Sequence, residues 1–245
     1  MTPRFNIIGS IASFMLLFAS ATLAQATALE EYLFEGLLKL ASQGDHEAEY
    51  HVGMLLNNGI GTAPNQKEAF QWFRKSAEAG HPLGAYKFGC YYAGQFPEVV
   101  DVDQEQAMKY KSMAAEQGYD IAQREIAQIY YASKDYQQAI FWWTQAASQG
   151  ETDAMHYLGE AYARGEIVQT DLSLSYRYLD ALKRLPEFSS DPWVTNGLAF
   201  VAKSMSADEL AAAKSAAPLV IEPTPLTLKA RNGVTEAKLY LADHL

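Results

Sequence analysis

One phrase recurs along this chain, and no other feature limits the fold as much. Lys75-Ser76-Ala77-Glu78-Ala79-Gly80 returns as Met113-Ala114-Ala115-Glu116-Gln117-Gly118 and again as Gln145-Ala146-Ala147-Ser148-Gln149-Gly150. A half copy, Leu40-Ala41-Ser42-Gln43-Gly44, precedes them, so the glycines stand 36, 38 and 32 residues apart. Upstream of each phrase an alanine is followed three residues later by an aromatic: Ala69 and Trp72, Ala107 and Tyr110, Ala139 and Trp142, with a degenerate Ser175 and Tyr178. A second set of small residues keeps step with the first: Ala48 and Gly53, Gly84 and Gly89, Ala122 and Ala127, Ala154 and Gly159. Three residues after the second member of each pair lie Leu56, Tyr92, Tyr130 and Tyr162. A repeat of this period is one supersecondary unit stacked on its neighbours.

The residue types say what the unit is. Small residues on a first helix let a second helix approach, and the aromatic is expected to fill the space between them. Asn65, Asp103, Asp135 and Asp171 each stand four residues before the landmark Ala or Ser, where a side chain capping the second helix belongs. Gly80, Gly118 and Gly150 follow that helix, where a left-handed C-cap favours glycine, and Pro82 agrees. Length variation falls in the loop between the helices: Phe96-Pro97-Glu98-Val99-Val100 is the long version and Ser133-Lys134-Asp135 the short one. The expected fold is all-α, an α-solenoid of antiparallel helix pairs.

This pattern resembles the Sel-1-like repeat, a relative of the tetratricopeptide repeat. The match is tightest at Ala154 to Gly159, Asp135 to Trp142 and Ala146 to Gly150, and spans about residues 28 to 185. The further landmarks Ala77, Ala115 and Ala147 belong to it. The resemblance implies a solenoid whose curved surface binds other proteins, and says little about which, because its residues are packing residues. It divides the chain into a leading half-repeat helix at 27–44 and units at 45–80, 81–118, 119–150 and 151–186. In the fourth unit Lys183 replaces the second Ala and Pro186 stands at the Gly position, so the regular stack should end there.

Residues 1–26 read as a secretory signal peptide: Arg4, then an uncharged apolar stretch from Ile7 to Ala24, then the small-x-small site Ala24-Gln25-Ala26. Cleavage is expected after Ala26, giving a periplasmic or secreted chain with no stable membrane insertion; an uncleaved anchor is the rival. Residues 187–217 should form capping helices, with a capping box at Ser206-Ala207-Asp208-Glu209. Pro218, Pro223 and Pro225 then break the chain, so 218–230 is expected to be extended, its order left open. Thr235 is placed to cap a short final helix in 218–245. Leu239, Tyr240 and Leu241 at the end of that polar linker suggest a tethered segment lying in the groove of its own solenoid.

Function is read mostly by exclusion. A formal net charge of -10 repels phosphate backbones, which argues against nucleic acid. The single Cys90 permits no intrachain disulfide and reads as a small buried apolar residue. His46 and His51 almost imitate a metalloprotease helix, but five residues apart they diverge around it, leaving His46 near a helix start and His51 on a solvated face. Glu98, Asp101, Asp103 and Glu105 lack the spacing of an EF-hand and read as a solvated loop. No catalytic, metal or cofactor residues are assigned. Some cysteine-rich Sel-1-like proteins bind or hydrolyse β-lactams, but their paired cysteines are missing here. Tyr91, Tyr131 and Tyr157 lie on first helices off the landmark positions, and with His51 and Lys87 they form a candidate concave binding face; extra packing between units is the alternative. The expected function is protein or peptide binding in the cell envelope, in assembly, regulation or stress signalling. The alternatives are an enzyme acting on β-lactams or peptidoglycan peptides, and a secreted effector binding a host protein.

Overall fold

The computed structural model describes residues 27–244, and the segment read as a signal peptide lies outside them. Thirteen helices and no strand occur among the described residues. Helix α1 covers residues 27–42. Four pairs follow: α2 (His46–Asn58) with α3 (Gln66–Glu78), α4 (Pro82–Cys90) with α5 (Gln104–Glu116), α6 (Asp120–Ala132) with α7 (Tyr136–Ser148), and α8 (Thr152–Arg164) with α9 (Leu172–Lys183). Beyond them come α10 (Pro192–Ser204), α11 (Ala207–Ser215), α12 (Pro225–Asn232) and α13 (Val234–Ala242). Each helix of the pairs packs on the next in sequence, which makes a solenoid. No described helix is long and apolar enough to cross a membrane.

The repeated residues act at the joints. Asn65, Asp103, Asp135 and Asp171 each accept a hydrogen bond from a backbone N–H in the first turn of α3, α5, α7 and α9. Gly80, Gly118 and Gly150 adopt φ of +88°, +91° and +87°, a left-handed conformation that costs a residue with a Cβ about 1–2 kcal/mol. Every landmark alanine of the first and second helices is 3% exposed or less. A methyl on Gly53 would come within 2.6 Å of the Phe73 ring, so a bare backbone is what lets α2 and α3 touch.

That contact corrects one expectation. The residue filling the space beneath the first helix is Phe73, not Trp72, and its counterparts Lys111 and Leu179 lie against Gly89 and Gly159. Each stands one residue beyond the landmark aromatic, a rotation of about 100° around the helix. Trp72 and Trp142 remain half-buried, while Tyr110 and Tyr178 close the edge of the pair by stacking near-parallel on Tyr92 and Tyr162, at interplanar angles of 7° and 8°.

The stack ends after the fourth pair, where Pro186–Phe188 makes a short 3-10 turn. The capping box forms, Ser206 and Glu209 bonding each other's backbone N–H. The tail then departs from expectation. Only 217–224 is extended; Pro225, whose missing N–H is one of the donors a helix start leaves unpaired anyway, opens α12 beneath a cap from Thr224. Helix α13 starts at Val234, after Gly233, with no cap from Thr235.

The tail runs back along the turns of the repeat in reverse order. Glu222 N–H donates to the Ser148 carbonyl at 2.8 Å, and Thr224 Oγ1 to the Gly118 carbonyl at 2.9 Å. Thr227, fully buried, donates to Gln149 Oε1 at 2.7 Å, while Gln149 Nε2 donates to Gly118 O and Gln123 Oε1. Arg231 pairs with the buried Asp120, and Lys229 Nζ with Glu47 at 2.6 Å. Helix α13 lies antiparallel to α2: Val234 sits near Asn58 and Ile60 at its end, and the Tyr240 hydroxyl donates to Asp45 at its start. Leu241 presses on Gly36 of α1. Helix α13 therefore stands where the leading half repeat lacks its first helix, and Leu33, Leu37, Ala237 and Leu241 share one apolar core.

Leu241→Ala is expected to lower unfolding free energy by about 3 kcal/mol in urea titration, because a buried leucine leaves a cavity. It should also expose the 217–224 stretch to limited proteolysis. Unchanged stability and cleavage would mean that α13 is not part of the core.

Candidate interaction surface on the first helices

The five residues of the expected binding face do not share one surface. His51 is 3% exposed, covered by Tyr240 with ring centroids 5.5 Å apart. Its place on a solvated face fails because α13 lies over α2. Tyr91 is 1% exposed; it opens a π-helical turn, and its hydroxyl donates to Asn57 Oδ1 at 2.8 Å and the Gln66 carbonyl at 3.1 Å. It therefore belongs to the core, where the loop after it folds back. Lys87 is half-buried with Nζ 5.7 Å from the Tyr86 ring centroid.

Tyr131 and Tyr157 do come together. They flank Trp143, Tyr131 at 5.5 Å and Tyr157 stacked at 5.0 Å with an interplanar angle of 25°. Helices α6 and α8 hold the two tyrosines, and the buried Trp143 of α7 stands behind them. The three rings line a cavity of about 330 Å3, joined by Gln128, Glu160, Ala161, Arg164, Glu166 and Ile167. Gln128 Nε2 donates to the Tyr157 hydroxyl at 3.1 Å, fixing that ring, and Arg164 pairs with Glu160 at 2.7 Å. A second cavity of about 370 Å3 shares Glu160 and Arg164, with Trp193, Gly197, Phe200 and Leu179 around it. There the His156 ring stacks on Trp193 at 3.4 Å, and Phe200 is 60% exposed.

Sequence reasoning passed over Trp143, Glu160, Arg164, Trp193 and Phe200. The signal present was the spacing of Tyr157, Glu160 and Arg164, three and four residues apart, which sets them on one helix face. Trp193 and Phe200 were hidden by their role in a capping helix.

Burial sets the electrostatics around these elements. The first cavity has no Ser, Cys or His in its lining. Burial pushes the Cys90 thiol up, away from nucleophilic thiolate. No group of three or more His, Cys, Asp or Glu that could hold a metal exists among the described residues. Burial raises Glu151, the N-cap of α8, to about 7 despite Arg124 beside it. Under the tail, burial lowers His51 to about 3 and His81, the N-cap of α4, to about 4, with Lys229 adding to both.

The Sel1 repeat pattern matches residues 46–81, 83–119, 121–151 and 152–181, and the chain belongs to that family. Sel1 proteins are generally protein–protein interaction scaffolds. An uncharacterised protein of Neisseria meningitidis serogroup B is 30% identical over 49% of this chain and 25% of its own length. A chitin synthase regulator of Saccharomyces cerevisiae is 29% identical over 56% of this chain and 22% of its own length. The chain thus spans about a quarter of these curated relatives. Among solved structures, a Sel1 repeat protein from Oxalobacter formigenes aligns at TM-score 0.58 and 22% identity, covering 86% of this chain and 80% of that one. A protective antigen of uropathogenic Escherichia coli strains displaying an SLR fold aligns at 0.55 and 23%, covering 84% and 50%. Both likenesses concern the fold.

The buried histidines set an acid limit. His51 is held far below its ordinary 6.5, so its stabilising contribution is complete above pH 6.5 and is lost as pH falls toward 3. Between pH 6.5 and 5 the loss is about 2 kcal/mol for this one group. Urea titrations at pH 7 and 5 should show His51→Phe losing about 2 kcal/mol less than the parent chain; equal losses would remove His51 as the cause.

Proposed function

We propose that this chain is an exported interaction scaffold of the cell envelope, binding a segment of another protein in the cavity between Tyr131 and Tyr157. One observation carries the reading. The tail covers the start of the first-helix face, over α2, whereas the face between α6 and α8 is open and lined with aromatic rings. Tyrosine and tryptophan on a rigid support bury large area at little entropic cost, which is why they anchor interfaces. The export half of the reading rests on the signal-peptide pattern of residues 1–26.

Two measurements test the two halves. A photocrosslinking phenylalanine derivative in place of Tyr131, which keeps an aromatic ring there, should capture a discrete partner in cells, and Tyr157→Ala in the same chain should abolish the capture while circular dichroism shows the helices intact. Capture that survives Tyr157→Ala would move the site elsewhere. N-terminal sequencing should find the accumulated chain beginning after Ala26; a chain beginning at Met1 overturns export by cleavage.

A further inference from the structure

The charged residues around the open cavity narrow its ligand, provided the cavity is the interaction site argued above. Its aromatic lining offers ring faces and ring edges, and a ring face attracts cations. Tyr131 is 48% exposed, so part of its ring is available. The ionised groups in the lining are Glu160, Glu166 and Arg164. Arg164 is already engaged by Glu160 at 2.7 Å. Glu166 is exposed and has no hydrogen-bond or ion-pair partner among the described residues. Two carboxylates against one guanidinium leave the lining net negative, so an incoming cation meets aromatic surface and one unpaired carboxylate, whereas an incoming anion meets a guanidinium already held by Glu160.

The chain shows the same chemistry in use elsewhere on this surface. Its own tail lies across the starts of α2 and α6 by setting Lys229 on Glu47 and Arg231 on Asp120. Tyr240 then adds an aromatic contact to His51. The tail thus binds the solenoid by placing two basic side chains on carboxylates of the first helices, one of which, Glu47, stands 3.9 Å from the His51 ring that Tyr240 covers. His51 and Tyr157 occupy the same position of the repeat, three residues after Ala48 and Ala154. At that position the first unit is covered by the tail and the fourth is open.

We propose that the open cavity receives an arginine or lysine side chain of a basic peptide segment of a partner protein. The cationic head lies against Tyr131 and the Glu166 carboxylate. A neighbouring apolar residue of the segment enters the second cavity beside Trp193 and Phe200, across the Glu160–Arg164 pair. The acidity of the chain as a whole, -10, draws such a segment toward it.

The test is selection from a phage library of random dodecapeptides on the full chain, then synthesis of the best binder. Arginine or lysine should be enriched within a few residues of an aromatic or aliphatic residue. Affinity of the synthetic peptide should fall about tenfold or more in Glu166→Gln, in Tyr131→Ala, and when its basic residue becomes glutamine. Both substituted positions are exposed, so the variants are expected to keep the parent melting temperature. Selected peptides that are neutral or acidic, yet lose binding in Tyr131→Ala, would overturn the cationic preference and leave the cavity as an interaction site. No enrichment, or enrichment insensitive to Tyr131→Ala, would overturn both.

Discussion

A pair of antiparallel helices cannot bury both of its broad faces, and only another helix can cover the face left over. Everything distinctive in this molecule answers that constraint. Inside the stack each unit covers the next, with glycine and alanine at the contacts so that backbones come close. The two ends need separate solutions. Helices α10 and α11 follow the last regular pair. At the other end α1 is half a unit, and the chain brings α13 back the length of the stack to stand beside it.

That return is held by polar groups as much as by apolar ones. Asp120, Gln149 and Thr227 are nearly or wholly buried, and Asp120 Oδ2, Gln149 Oε1 and the Thr227 hydroxyl find partners where the tail and the turns meet. Removing one partner of such a set leaves a desolvated group unpaired, at about 1–3 kcal/mol for a neutral group and more for a charged one. The tail is thereby fixed in place along the turns, and the part of the first-helix surface it covers is withdrawn from other partners. The arrangement gives the solenoid one covered end and one open region.

The stack was legible in the sequence because its signals are local and repeated. An acid or amide four residues before a small residue caps a helix whatever lies around it, and Gly80, Gly118 and Gly150 need a left-handed backbone in any context. Tyr91 could also have been placed correctly. It stands seven residues after Gly84, as Leu55 stands seven after Ala48, and Leu55 is plainly a core residue at 1% exposure. The burial of His51 was not readable in the same way. It depends on a helix almost two hundred residues away, docked through Tyr240 and Leu241 by contacts that no periodicity announces. Pro225 misled for a different reason: a proline that breaks one helix also starts another when a threonine stands before it.

One repeat position shows how far packing rules reach toward function. His51, Lys87, Glu125 and Tyr157 all stand three residues after a landmark small residue. The repeat fixes where each Cβ points and leaves the side chain free. His51 lies beneath the tail, Lys87 reaches over Tyr86, and Glu125 accepts from Tyr86 and pairs with Lys111 at 2.7 Å. Tyr157 lines the open cavity with Trp143 at its back. Family membership follows from residues that cannot vary without breaking the stack. The position three residues after the landmark carries no such duty: the fold tolerates a histidine, a lysine, a glutamate or a tyrosine there, and in the fourth unit the side chain lines an open cavity.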